Sequence, residues 1–382
     1  MQQRKHNPVL ALAVTVGLVG ALALWFWLRQ RHLTTPLKLP DTSTTSLRAT
    51  NPPPAPLPPA DVAEKLRSLS SELAGLDRAA TQARLAQLRR DLASMPKSEA
   101  LAAIRQFLDS KADAPTHQGF KVAKGGLLDE APTLRTFLLD ELARLDRPAA
   151  ADYAKVILAG KDSPDEWAVA LRNLARGDLT PEDRSLLEHK TEEMLSYIPW
   201  QQNPSTGFLE AFDTAVYLGG TNLLPTLSDL VRRQDNPALA HASYLALDRL
   251  VINDPADTLS ALESNTGLMQ GRELTRANYF ARADVRDPQQ RQVLEKYLLD
   301  PRVGAAELDT FAGLYPNANF MISANLLTSD ATLDHASLVG RDAEAFRVLH
   351  DWLADPRFAN LSPQLRKVQA RLGEFIRQEG GH

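Results

Sequence analysis

The sequence predicts an all-α body from residue 61 to the C-terminus, on three observations. Leucines and alanines recur three and four residues apart through most of this span, which puts them on one face of a helix. Sixteen prolines occur after residue 60, and nine of them follow Ser, Thr, Asp or Asn: Pro164, Pro181, Pro204, Pro237, Pro255, Pro288, Pro301, Pro356 and Pro363. A side chain that caps free amides, then a proline whose missing N–H costs nothing in the first turn, marks a helix start. No run of alternating β-branched residues competes with this pattern, and only Asn319 to Thr328 is ambiguous between strand and helix.

The chain divides into six parts. Residues 1–8 form a polar tail. Residues 9–28, Val9 to Leu28, carry no charge and are long enough to cross the ~30 Å hydrocarbon layer as a helix. Trp25, Phe26 and Trp27 stand at one end, where aromatic side chains favour the interface. An uncleaved anchor is the expectation. A cleaved signal peptide competes with it, since Ala21-Leu22-Ala23 has the small-x-small form, but the apolar run continues past that point. Residues 29–60 are rich in Pro, Ser and Thr and end in NPPPAPLPPA, a spacer of polyproline geometry rather than a packed element. Pro40 to Ala60 in that geometry spans roughly 60 Å at ~3.1 Å per residue. Positive charges are nearly balanced across the span, with Arg4 and Lys5 before it and Arg29, Arg31 and Lys38 after it. The spacer tips the expectation towards a bacterial inner-membrane protein with its body in the periplasm.

Residues 61–110 read as a helical hairpin region. Leu66, Leu69, Leu73 and Leu76 mark one helix, and Leu85, Leu88, Leu92 and Met95 a second. A third starts at Ser98, with Leu101, Ile104 and Leu108 inward. Residues 111–132 break the pattern with Gly119, Gly125, Gly126 and a lone His117, and are expected to form a long surface loop. Helix then follows helix through residues 133–382. Two fragments recur there. Ala170-Leu171-x-x-Leu174 returns as Ala246-Leu247-x-x-Leu250, and YLLDPR (Tyr297 to Arg302) returns as WLADPR (Trp352 to Arg357).

The stretch Leu223 to Val251 is the clearest unit. Leu223, Leu227, Leu230 and Val231 line a first helix, with Arg232 and Arg233 in its last turn, where cations complement the helix dipole. Asn236-Pro237 restarts the chain, and Leu239, Ala242, Ala246 and Leu250 stripe a second helix up to Asn253-Asp254-Pro255. Two short helices cannot bury their faces alone and need similar neighbours on each side. These residues resemble a HEAT-type repeat: a Pro-x-Leu-x-x-Leu helix, an Asp/Asn-Pro turn, then an Ala-x-x-x-Ala-Leu-x-x-Leu helix. The resemblance implies an irregular HEAT-like α-solenoid over residues 133–382, a binding scaffold with no particular chemistry.

Charge and motifs narrow the function classes. Residues 1–60 carry a net charge of +5 and the remainder −9. An acidic body with no basic stripe argues against nucleic acid. No cysteine occurs, which excludes disulfides, thiolate catalysis and cysteine-held zinc. Phosphate-binding and dinucleotide fingerprints, a Gly-x-Ser-x-Gly elbow and a His-Glu-x-x-His pair are all missing, so no catalytic residue, metal, cofactor or small-molecule substrate is assigned. His189, His241 and His335 read as surface or satisfied core residues, and adjacent His350-Asp351 do not face each other on a helix. Glu182, Asp183, Glu192 and Glu193 read as a solvated face.

The expected function is therefore a membrane-anchored scaffold that holds a protein or cell-envelope partner, with Trp200, Arg232 and Arg233 as candidate contacts. Trp200, bracketed by Pro199 and Pro204, is expected on an inter-helix loop, as a core plug before a contact anchor. Two alternatives stay open. The layout of anchor, spacer and helical body is similar to that of bacterial lipase-specific foldases, although the Arg-x-x-Phe-Asp-Tyr signature is missing and Phe212-Asp213 is its nearest fragment. An enzyme whose site is assembled from distant residues is the other.

Overall fold

The computed structural model describes residues 59–319, 323–329 and 333–379, all within a compact unit running from Pro56 to His382. The expected tail (1–8) and anchor (9–28), and the linker (29–60) up to residue 58, lie outside the described residues. Among the described residues no helix is long and apolar enough to cross a membrane.

Helices α1 (Pro59–Leu73), α2 (Arg78–Ser94) and α3 (Lys97–Asp109) lead into a two-stranded antiparallel hairpin, β1 (Lys121–Val122) and β2 (Leu128–Glu130). Helices α4 (Leu134–Leu145), α5 (Arg147–Leu158), α6 (Pro164–Ala175) and α7 (Pro181–Ser196) follow. Three one-turn pieces come next: α8 (Ile198–Gln202), α9 (Thr206–Glu210) and α10 (Asp213–Leu218). The series continues through α11 (Leu224–Val231), α12 (Pro237–Asn253), α13 (Pro255–Ser264) and α14 (Glu273–Phe280). It closes with α15 (Pro288–Leu299), α16 (Ala305–Leu314), α17 (His335–Ala354) and α18 (Ser362–Glu379).

The capping logic explains most starts. Ser163, Thr180, Asn236 and Asp287 each accept a backbone N–H through their side chains, with proline next in line. Asn203-Pro204 and Asp300-Pro301 do not start helices: α9 is capped by Ser205 instead, and α16 begins after Gly304. Helix α3 likewise starts at Lys97, with Pro96 before it, rather than at Ser98.

Within the expected surface loop at 111–132, residues 121–130 form the β1–β2 hairpin and part of the segment packs inward. Ala114, Phe120, Val122, Leu128 and Ala131 are buried, and the Thr116 N–H donates to the Pro132 carbonyl at 3.0 Å. These apolar residues are spaced too irregularly to advertise a strand. The described residues of the ambiguous stretch, 319 and 323–328, form neither helix nor strand.

Packing joins helices to their successors along α2 to α8, along α11 to α14 and between α17 and α18, and repeatedly to the one after that: α1 to α3, α4 to α6, α13 to α15, α14 to α16 and α16 to α18. Two of these next-but-one contacts enclose a bidentate ion pair. Arg135 on α4 meets Glu166 on α6 at 2.7 and 3.0 Å, and Arg276 on α14 meets Glu307 on α16 at 2.7 and 2.9 Å. All four side chains are at most 7% exposed, and both pairs join residues 31 apart. A tyrosine of the intervening helix stands beside each. The Tyr297 hydroxyl donates to Glu307 at 3.0 Å, whereas Tyr153 donates to Asp109 at 2.8 Å. Burial and the neighbouring carboxylate push the Tyr297 pKa up, so it stays a donor.

The recurrence of YLLDPR as WLADPR has a local cause. In each, the aspartate accepts the N–H of the arginine two residues on, at 2.9 Å, and the guanidinium folds back onto the same carboxylate. Asp284-Val285-Arg286 does the same with no proline. This is a turn motif at a helix end. The Ala-Leu-x-x-Leu recurrence, by contrast, marks the buried faces of α6 and α12: Ala170, Leu171, Leu174, Ala246, Leu247 and Leu250 are all buried.

Replacing Glu307 with alanine leaves the Arg276 guanidinium buried without its partner and the Tyr297 hydroxyl without its acceptor. Urea unfolding of Glu307→Ala is expected to show a loss of about 3–5 kcal/mol. A loss below about 1 kcal/mol, the surface-pair range, would contradict the burial described.

Candidate functional site

Trp200 lies in the short helix α8 rather than on a loop, and is 8% exposed. Its ring sits edge-on to Trp167 and Tyr197, with centroids 5.2 and 4.9 Å away, and next to Phe208 at 6.3 Å. Its surface is thus taken up by an aromatic cluster joining α6, α8 and α9.

Arg233 reaches the same helix. Its guanidinium donates to Gln201 Oε1 at 2.8 Å and chelates Asp235 at 2.7 and 2.6 Å. Asn236, the cap of α12, donates to the Gln201 carbonyl at 2.9 Å. Arg232 points elsewhere: it pairs with Asp229 and donates to the Gly267 carbonyl at 3.1 Å. The two arginines therefore tie the α11–α12 turn to opposite neighbours, and only Arg233 shares a neighbourhood with Trp200.

A different set of side chains converges on the connector between α16 and α17. Arg176, just past α6, donates to the Leu326 carbonyl at 2.6 Å. Asp213, the first residue of α10, accepts the N–H groups of Leu327 and Thr328 at 2.7 and 2.9 Å, and also the Thr328 hydroxyl. Arg249 on α12 donates to the Ser323 hydroxyl. Further along, the Asn317 N–H donates to the Ala281 carbonyl at 2.7 Å, and its side-chain amide donates to Asn278 on α14 at 2.7 Å. Arg341 on α17 donates to the Asn317 carbonyl at 3.2 Å and to the Arg282 carbonyl at 2.7 Å. The connector thus touches elements up to 150 residues away in sequence. Leu326 is fully buried, although Ser323, Ala324 and Ser329 around it are exposed.

The β1–β2 turn completes this seat. Gly126, at φ 77°, lies so close to Leu326 that a Cβ there would stand 2.1 Å from the Leu326 carbonyl oxygen. The turn is held from below by a buried network. Arg172, fully buried, donates to the Gly126 carbonyl at 3.0 Å and pairs with Asp140. Asp140 also accepts the Leu128 N–H at 3.0 Å, and Arg144 joins Asp140 and the Leu128 carbonyl at 3.0 and 2.8 Å. Burial pulls the pKa of Arg172, Arg176 and Arg341 down. All three cations answer that desolvation with carbonyl or carboxylate acceptors.

The arrangement grips main-chain atoms, and the Ser323 and Thr328 hydroxyls, of the connector. Sequence reasoning met Asp213 only as part of a motif fragment and Gly126 only as one of the glycines that break the helical pattern, and did not single out Arg176. Lone residues on separate elements carry no spacing signal. His189, His241, His335 and His350 are exposed on helices, and Asp351 pairs with Arg347 one turn away. No group of His, Asp and Glu placed to hold a metal ion occurs among the described residues. Elsewhere an open cleft of about 490 Å³ is lined by Glu263, Gln292, Glu295, Lys296, Leu299, Asp300 and Arg357. No family model, no curated protein and no solved structure matches the chain.

Glu210, half-buried at the end of α9, has its pKa raised by burial, lowered in part by Arg249 and raised again by Asp213. A carboxyl raised in the folded state contributes stability below its ordinary pKa and loses it as pH rises through the folded value. Glu210→Gln is therefore expected to raise Tm at about pH 7.5, with the gain vanishing at about pH 4. Parallel melting curves at the two pH values check this, and a gain that grows on acidification would contradict it.

Proposed function

We propose that this chain is a membrane-anchored helical-repeat scaffold. Residues 9–28 hold it in a bacterial inner membrane and the Pro-rich spacer carries the body into the periplasm. There an irregular HEAT-like α-solenoid binds a protein or cell-envelope partner without chemistry of its own. The next-but-one packing and the two buried Arg–Glu pairs at 31-residue separation support the repeat reading. One observation carries the binding reading. Side chains from five parts of the body, Arg176, Asp213, Arg249, Asn278 and Arg341, all hold described, non-helical residues of one connector. A surface built to satisfy free backbone N–H and C=O groups is what holding a peptide in extended or bent form requires.

Crosslinking of the intact protein in its native membrane, followed by recovery under denaturing conditions, tests the reading. One dominant partner is expected, with yield falling at least ~10-fold when the binding surface is altered by Asp213→Ala. A shifting population of unfolded exported proteins would point to a folding helper instead. Recovery of no partner would overturn the scaffold reading.

A further inference from the structure

Resting on that scaffold reading, the geometry points to a specific ligand class: the seat of Leu326, Leu327 and Thr328 is a peptide-recognition site, filled in the free protein by its own connector. We propose that its partner is a non-helical segment carrying leucine followed, two residues later, by threonine or serine. Both halves of that description come from the occupant. Leu326 is fully buried, Leu327 is partly buried against the core and Asn325 is buried, while Ser323, Ala324 and Ser329 are exposed, so selectivity for an apolar side chain is greatest at Leu326. Asp213 receives two successive N–H groups and the Thr328 hydroxyl, which fills both carboxylate oxygens. A residue without a hydroxyl there leaves a buried carboxylate oxygen short of a donor, a loss that discriminates more strongly than a missing methyl group.

Two further features fit a ligand seat better than a structural joint. The walls are made by Gly126, Arg176 and Asp213, which lie 114 to 200 residues from the occupant. The Gly126 wall rests on bonds that do not involve the occupant: Arg172 and Asp140 hold the β1–β2 turn from the other side. Glycine at 126 lets backbone, rather than a side chain, approach the Leu326 carbonyl. A tethered occupant acts as a competitor at an effective concentration in the millimolar range, so a partner segment in solution has to displace it. The connector then works as an internal placeholder that keeps weak peptides out.

The test uses the full-length protein carrying Leu326→Ser and Thr328→Ala together, with a fluorescent peptide of residues 323–329 (SANLLTS) as probe. Fluorescence anisotropy is expected to show at least ~10-fold tighter binding to the double variant than to the unaltered chain. Adding Asp213→Ala to the double variant removes that gain, and a probe with Ser and Ala at the Leu and Thr positions does not bind. A folded double variant that binds the probe no better than the unaltered chain overturns the proposal. Should the double variant not fold, hydrogen exchange on the unaltered protein decides. Leu327 and Thr328 amides exchanging faster than those of α6 support a displaceable occupant, and exchange in step with α6 overturns it. Loss of probe binding with a native partner still captured places that partner elsewhere, so the two readings fail separately.

Discussion

Buried arginine is the constraint on which this body depends. A helix packed between two neighbours has no water for its ends or its polar side chains, and short helices have many ends for their length. Here the guanidinium groups supply the missing partners. Arg135 spans from Glu166 to the Leu108 carbonyl, Arg341 binds the Arg282 and Ala283 carbonyls past the end of α14, and Arg371 binds the last carbonyls of α16. Each such residue is costly to bury alone and stable only when its fork of donors is filled. The arginines therefore make the helix positions mutually dependent: shift one helix and a buried cation loses an acceptor.

That dependence extends to the connector between α16 and α17. The other helix contacts join elements close in sequence order: neighbours, next-but-one neighbours, or helices three or four apart such as α6 with α9 and α7 with α11. The connector breaks that rule by running back across more than a hundred residues to Asp213 and Arg176. It does so through main-chain bonds, the Thr328 hydroxyl and the buried Leu326. The same main-chain chemistry that satisfies helix ends elsewhere in the body is used here on a stretch whose described residues form neither helix nor strand.

Much of the architecture was legible from residues that act locally. Ser163, Thr180 and Asn236 cap helices because their oxygens lie one turn from the amides they serve, and that relation is written in adjacent positions. The same logic misled at Asp300-Pro301, where the aspartate binds Arg302 in a turn instead of opening a helix. A capping side chain and a turn-forming one are the same side chain; which it becomes depends on what the following residues bury. The candidate contacts fared by the same rule. Trp200 packs among Trp167, Tyr197 and Phe208, residues that come together only when α6 and α9 meet.

By itself the sequence determined that the described body is all-α, where most helices begin, and which face of each is apolar, since these follow from interactions within one or two helical turns. Tertiary structure alone decided that residues 121–130 form a hairpin, that Arg135 and Arg276 meet carboxylates two helices on, and that Asp213 and Arg176 hold Leu326 to Thr328. Those partners are separated by 31 to 150 residues. Their pairing is selected by which desolvated groups end up within reach once the apolar faces have closed, and no local pattern encodes that distance.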